Sequence, residues 1–182
     1  MKPKPFKPEI TDENAAYVKD QTTGLIWHRT SHRTLYADTD RSQVVYHANY
    51  LRFFEQGRAA LMRDIAYAYR EIEENGFVYP IIETKLNYFA PLFYDDLMWI
   101  HTRPAALERV KLRFDYVITS HTYDQIICKG YTRHCATNTR GIPVGVDEKT
   151  VRVWTQFPGR DQSSITKVVN HPLKKDVRES NT

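Results

Sequence analysis

"DTDRSQVVYHANY", residues 38–50, sets two carboxylates, a polar loop, a Tyr-His pair and an Asn directly before a long amphipathic segment. From about His47 onward, Tyr50, Phe53, Phe54, Gly57, Leu61, Ile65 and Ala68 recur at steps of three and four. That period is the stripe of an α-helix with a buried face. The stripe predicts one helix that continues to "REIEENG", where Asn75-Gly76 supplies a C-terminal stop. At 1.5 Å per residue, a helix of roughly 20 residues spans about 30 Å.

Outward from this helix the chain reads as strands. Upstream, "GLIWHRTSHRTLYAD" is rich in β-formers and runs into Asp38. Downstream of Gly76, Ile82, Leu86 and Tyr88 alternate with Glu83, Lys85 and Asn87, and "LMWIHT" follows with Pro104 marking a break or an edge. In "VKLRFDYVIT", Val110, Leu112, Phe114, Tyr116 and Ile118 face one way, and Lys111, Arg113 and Asp115 the other. This alternation is that of a half-buried antiparallel strand. "QIICKGYTRHCATN" has one mostly small face, through Ile126, Cys128, Gly130, Thr132, His134 and Ala136, which lets a helix lie close. "KTVRVW" is expected to close the set as a strand, with turns at "SHTYD" and "TNTRG". About five strands without intervening helices pair largely antiparallel. Residues 1–24 read as an extension, with Pro- and Lys-rich "MKPKPFKP" and a short helix in "TDENAAYVK" capped by Thr11. The expected division is an extension over 1–24, a domain over 25–156 and a polar tail over 157–182.

Composition narrows the function classes. The 182 residues fit one domain, and 41% hydrophobic with 26% charged residues is ordinary globular usage. The net charge of +4 is mild, and the basic residues form no long run apart from "PLKKDVRES". This gives no indication of nucleic-acid binding, whereas a modest positive field suits a phosphate-bearing small molecule. No apolar run approaches the roughly 20 residues of a membrane span. Cys128 and Cys135 lie an odd number of positions apart on one expected strand, so they face opposite ways and do not bridge. A reducing, cytoplasmic setting is expected. His28 and His32 have the spacing of helical metal ligands, but in a strand context and without a third ligand, so no metal is expected. Many Tyr are expected to serve strand packing.

The stretch "LYADTDRSQVVYHANYLRFFEQGR", residues 35–58, resembles the hotdog-fold acyl-CoA thioesterases of the 4-hydroxybenzoyl-CoA thioesterase-like family. "LNYFAPLFYDDLMWIHTRP" is similar to that family's Tyr-x-x-Pro and Asp-Asp approach to its third strand. The resemblance covers about residues 30–155. It implies an α+β hotdog fold, one long central helix wrapped by an antiparallel β-sheet of five to six strands. It also implies hydrolysis of acyl-CoA to free acid and CoA, no cofactor, and a homodimer or homotetramer with sites between subunits. By the same resemblance Asp40 is the catalytic carboxylate, general base or nucleophile, and the His47 backbone N–H polarises the carbonyl.

Elementary chemistry agrees with those roles. Thioester hydrolysis needs a carboxylate near the carbonyl carbon and donors aimed at the oxygen as charge develops. The start of a helix supplies free N–H groups and a partial positive charge. Asp38 reads as structural, bonding to loop backbone. Asn49 is an N-cap or a substrate contact, and Tyr46 with the His47 side chain lines the acyl pocket or supports the loop. Glu55 is the second candidate acid, with pairing to Arg58 as its plainer reading. His134 reads as a hydrogen-bonded core histidine. Arg109 and Lys111 match a region where relatives offer basic residues to CoA phosphates, or are solvated strand residues. At Gln43 the family has glycine. Left-handed geometry costs glutamine roughly 1–2 kcal/mol, so either this loop takes another path, or the Gln43 side chain enters the site as a substrate contact. The alternative class is a non-catalytic acyl-CoA or acyl-ligand binding module.

Overall fold

The computed structural model of the protein describes residues 2–158. Nine strands form: β1 (Pro8–Glu9), β2 (Tyr17–Asp20), β3 (Ile26–Arg33), β4 (Phe77–Val78), β5 (Ile81–Tyr88), β6 (Leu97–Leu107), β7 (Lys111–Ser120), β8 (Ile126–Cys135) and β9 (Thr137–Asn138). Seven of them build one sheet in the order β1-β2-β3-β6-β7-β8-β5, every pair antiparallel, while β4 and β9 pair separately. The sheet is thus wider than the five or six strands expected. Alternation in β7 reads as expected: Leu112, Phe114, Tyr116 and Ile118 are buried in the main core, and Lys111, Arg113 and Asp115 are only half-buried. Pro104 lies beyond the last β3–β6 pair, His28 with Thr102, where the β6–β7 register also slips. A residue without an N–H is tolerated at such a place.

Helix α1 (Asn49–Asp64) packs its Tyr50, Phe53, Phe54, Gly57, Leu61 and Met62 into the core. Two glycines let it lie close. A Cβ at Gly57 would sit 2.6 Å from Ile100 Cγ2 and 2.5 Å from Thr102 Oγ1 of β6. A Cβ at Gly130 of β8 would sit 2.8 Å from the Phe54 ring and 2.1 Å from the Lys85 carbonyl oxygen. The small face expected on β8 is therefore where the helix comes down.

Three sequence expectations are corrected. The single long helix is two: α1 ends at Asp64, and after a bend with Ala66 at φ 55° the chain resumes as α2 (Tyr69–Glu74). The bend buries Tyr67, whose hydroxyl donates to Asp147 Oδ1 at 2.7 Å, and that tertiary contact outweighs the helical period. The stop at Asn75-Gly76 holds, with Asn75 as C-cap and Gly76 at φ 81°. "KTVRVW" is not a strand but part of α3 (Glu148–Gln156). Asp147 caps it by accepting the Thr150 N–H at 2.9 Å, and Thr150, Trp154 and Phe157 bury at helical spacing. Finally, "TDENAAYVK" is not a helix.

The expected N-terminal extension, over its described residues 2–24, joins the sheet through β1 and β2. Arg29 holds this arm by donating to the carbonyls of Asp12, Glu13 and Ala15. Phe6, Val18, Trp27 and Val117 form a second small core. It lies on the sheet face away from α1, since Val117 alternates with the core residues Tyr116 and Ile118. The expected tail falls, from residue 159 on, outside the described residues.

Candidate functional site

The motif loop is a tight hairpin between a 3-10 turn (Tyr36–Asp38) and α1. Thr39 bridges Val45, the Asp40 N–H donates to Val44 at 2.9 Å, and the Gln43 N–H donates back to Asp40 at 2.9 Å. Gln43 takes φ 64°, so it adopts the left-handed geometry that glycine serves without strain. Asp40 Oδ1 accepts the Ser42 N–H at 2.7 Å. The loop is clamped to the β5–β6 connection by a Val44–Phe93 bridge and a 2.8 Å bond from the Val45 N–H to Leu92.

Asp38 is the anchor beneath this loop, as its structural reading requires. It is fully buried and accepts Arg52 Nη2 at 2.8 Å and the Leu35 N–H at 2.9 Å. Its backbone carbonyl accepts the Tyr46 N–H at 2.8 Å and Asn49 Nδ2 at 2.9 Å. Asn49 is therefore not the N-cap. That position is Ala48, which makes no side-chain cap, and Asn49 opens the helix while its amide ties helix to loop. The Tyr46 carbonyl accepts the Asn49 N–H at 2.9 Å. Among the described residues no acceptor takes the N–H of His47 or of Ala48.

A cleft of about 350 Å³ opens beside His47, lined also by Val44, Val45, Tyr50 and Tyr88 and by Phe89, Ala90 and Pro91. The Tyr88 hydroxyl donates to the His47 carbonyl at 2.9 Å. The Tyr50 and Tyr88 rings meet edge to face at 5.1 Å. Asp40 heads the same loop but does not line this cleft within one chain. A wider groove of about 420 Å³, between α1 and β3, is walled by polar groups including Thr30, Arg52, Glu55 and Arg63. It holds no residue of the motif before Arg52, and its chemistry is that of a solvated helix flank.

The other expected residues are distributed as follows. Asp40, Gln43, Tyr46, His47 and Asn49 come together in the loop and the helix start, with the Tyr46 and His47 side chains exposed and their rings 4.3 Å apart. Arg109 and Lys111 do not join them. Tyr88 pairs with Cys128 and Cys128 with Ile118, whereas Lys111 pairs with Cys135, seven residues back along β7. At about 3.4 Å per residue, that is roughly 24 Å away within one chain. Glu55 and Arg58 do not pair. Arg58 turns into the core, donates to the Tyr116 hydroxyl at 3.3 Å and lies over the Tyr69 ring, while Glu55 stays on the outer groove. His134 is a hydrogen-bonded core residue: Nδ1 meets the Tyr79 carbonyl at 2.8 Å and Nε2 meets Thr132 Oγ1 at 2.9 Å. Burial, and then the Arg58 charge, pull it down to about 4. Sequence reasoning missed Tyr88, which it read only as a strand residue; its single signal was the Tyr-x-x-Pro spacing to Pro91.

The sequence profile described as thioesterase-like superfamily matches residues 35–167. The acyl-CoA thioester hydrolase YbgC of Escherichia coli is 29% identical over 82 residues, 45% of this chain and 61% of that one. A 1,4-dihydroxy-2-naphthoyl-CoA hydrolase of Thermosynechococcus vestitus is 28% identical over 101 residues, 55% of this chain and 67% of that one. The crystal structure of a hypothetical protein from Aquifex aeolicus superposes with a TM-score of 0.65 at 27% identity, covering 69% of this chain and 98% of that one.

Proposed function

The chain belongs to the thioesterase-like superfamily, with a hotdog fold, and on that premise we propose that it hydrolyses acyl-CoA thioesters to free acid and CoA. The observation that supports this most is the juxtaposition in one short loop. A turn headed by Asp40 closes onto the start of α1, where the His47 N–H is unclaimed and faces no competing acceptor among the described residues. In this reading Asp40 is the general base or the nucleophile. As base, it takes a proton from water while the water oxygen bonds to the carbonyl carbon. The carbonyl electrons move onto oxygen, stabilised by the His47 N–H, and return as the C–S bond breaks and the thiolate leaves. As nucleophile, the carboxylate itself bonds to the carbonyl carbon, the C–S bond breaks as the thiolate leaves, and water then opens the anhydride to free acid and the regenerated carboxylate. Gln43 supports the reading, because it keeps the left-handed bend that the family meets with glycine.

The site is read as completed by a second copy. Strand β5 ends the sheet, and Ile81, Ile82 and Tyr88 on it are exposed. Two-fold antiparallel pairing of β5 with its copy would bring the far end of one sheet, with Arg109 and Lys111, toward the Tyr88 end of the other. Those cations then meet the CoA phosphates, while Gln43, Tyr46 and Asn49 border the acyl end. The assembly is a homodimer, or two such dimers. The free, buried Cys128 and Cys135 fit a reducing cytoplasm; among the described residues no helix is long and apolar enough to cross a membrane.

Release of free thiol from a panel of acyl-CoAs and acyl-carrier proteins tests the proposal and sorts the acyl group. Turnover with at least one acyl-CoA is expected. Saturable binding across the panel without thiol release would instead identify a non-catalytic acyl-ligand module.

A further inference from the structure

We propose that Tyr88 is a positioning residue for this chemistry, and that through the His47 carbonyl it sets a second oxyanion donor, the Ala48 N–H. The proposal rests on the reading of the cleft as the site of thioester hydrolysis.

Consecutive peptide planes carry it. A trans peptide is planar, with its C=O and N–H pointing in opposite directions, so fixing one end fixes the other. The plane that carries the His47 N–H is held by its own carbonyl, that of Tyr46, which accepts the Asn49 N–H at 2.9 Å. The next plane carries the His47 carbonyl and the Ala48 N–H. In a regular helix that carbonyl would accept from Leu51, four residues on. Here the Leu51 N–H goes to Ala48 at 3.1 Å instead, which leaves the His47 carbonyl to the Tyr88 hydroxyl at 2.9 Å. A side chain from β5, not the helix, therefore decides how this second plane is turned.

Both amides so fixed are unclaimed among the described residues; His47 lines the apolar cleft that Tyr88 helps to wall, and the Ala48 N–H shares a peptide unit with the His47 carbonyl. A hydrogen bond donated to a peptide carbonyl also polarises the N–H of the same unit, making it a stronger donor. The Tyr88 ring is itself held at its edge by Tyr50 of α1, and its strand is paired to β8 through Cys128. The hydroxyl thus arrives from a rigid element, as positioning requires. Tyr88 touches no reacting atom; it acts through the peptide.

Tyr88→Phe removes the hydroxyl and keeps the ring and its contact with Tyr50. A direct oxyanion donor is worth about 10²–10³ in turnover, and a group acting at one remove is expected to cost about tenfold in kcat. KM is expected to stay within about twofold. The infrared carbonyl stretch of a bound ketone analogue, an acyl-CoA with CH2 in place of sulfur, is expected to move back toward its solution frequency in the variant. A purely structural role would lower the melting temperature or raise KM and leave that stretch where it is in the wild type. Unchanged kcat, or a rise in KM alone, overturns the proposal. Should the variant fail to fold, site-specific 3-fluorotyrosine at position 88, a stronger donor of nearly the same shape, is expected to raise kcat and lower the stretch; no change in either overturns it. Failure of the underlying reading is visible separately, as absence of thiol release by the wild-type enzyme.

Discussion

Gln43 stands at φ 64° in the bend between Asp40 and Val44, a conformation that costs a residue with a Cβ roughly 1–2 kcal/mol. The bend persists because both sides of it are fastened, by the Asp40–Val44 bond and by the bridge from Val44 to Phe93. Gln43→Gly is expected to raise stability by about 0.5–1 kcal/mol, the relieved strain less the added freedom of the unfolded chain. Urea unfolding at constant slope measures it, and a loss of stability would show that the bend stores no strain. His134 provides a second test at this scale. Its folded value near 4 lies below the 6.5 of an unfolded histidine. As pH falls from 6.5 toward 4, the unfolded chain takes up a proton that the folded chain refuses, so stability declines through that window and levels off below it. The gap is worth about 3 kcal/mol at about 1.4 kcal/mol per unit. His134→Gln should flatten this part of the profile measured by chemical denaturation, and an unaltered slope would contradict the assignment. The motif residues were legible from sequence because acid, loop and helix start are contiguous. Tyr88 was not, since its partner His47 lies 41 positions away and only folding joins them.

Elements were legible where local period and burial agree. α1 and β7 have both. The bend at Ala66 does not, because nothing local asks an alanine for φ 55°; the demand comes from Tyr67 reaching Asp147. "VRVW" alternates like a strand, but Asp147 three residues before Thr150 is a capping signal that outweighs it, and it was present in the sequence. The closeness of α1 to the sheet rests on Gly57 and Gly130. Gly130→Ala would press a methyl to 2.1 Å from the Lys85 carbonyl oxygen and 2.8 Å from Phe54, forcing β5 or α1 outward. Overpacking of this kind costs about 1–3 kcal/mol. A drop of that size in thermal denaturation is expected, with hydrogen exchange quickened in β5. Unchanged stability would mean that the helix is not held at this distance by the missing side chain.

At the scale of the molecule, the width of the sheet was the least legible feature. β1 and β2 are short and gain their place through Arg29 and Phe6, contacts that no local pattern announces. At the opposite end β5 leaves an unpaired edge strand on which Ile81, Ile82 and Tyr88 are exposed, and such edges are commonly covered or blunted. A homodimer at micromolar concentration is expected by sedimentation, and Ile82→Lys on that edge should shift it toward monomer and reduce turnover together. A fully active monomer would contradict a site shared between copies. In the proposed chemistry the motif loop performs thioester hydrolysis with Asp40 as its acid. Thiol release by Asp40→Asn, on the acyl-CoA that the wild type turns over fastest, tests it most directly. A fall in kcat of about 10²-fold or more with the fold intact is expected; turnover near that of the wild type would exclude Asp40 as the acid.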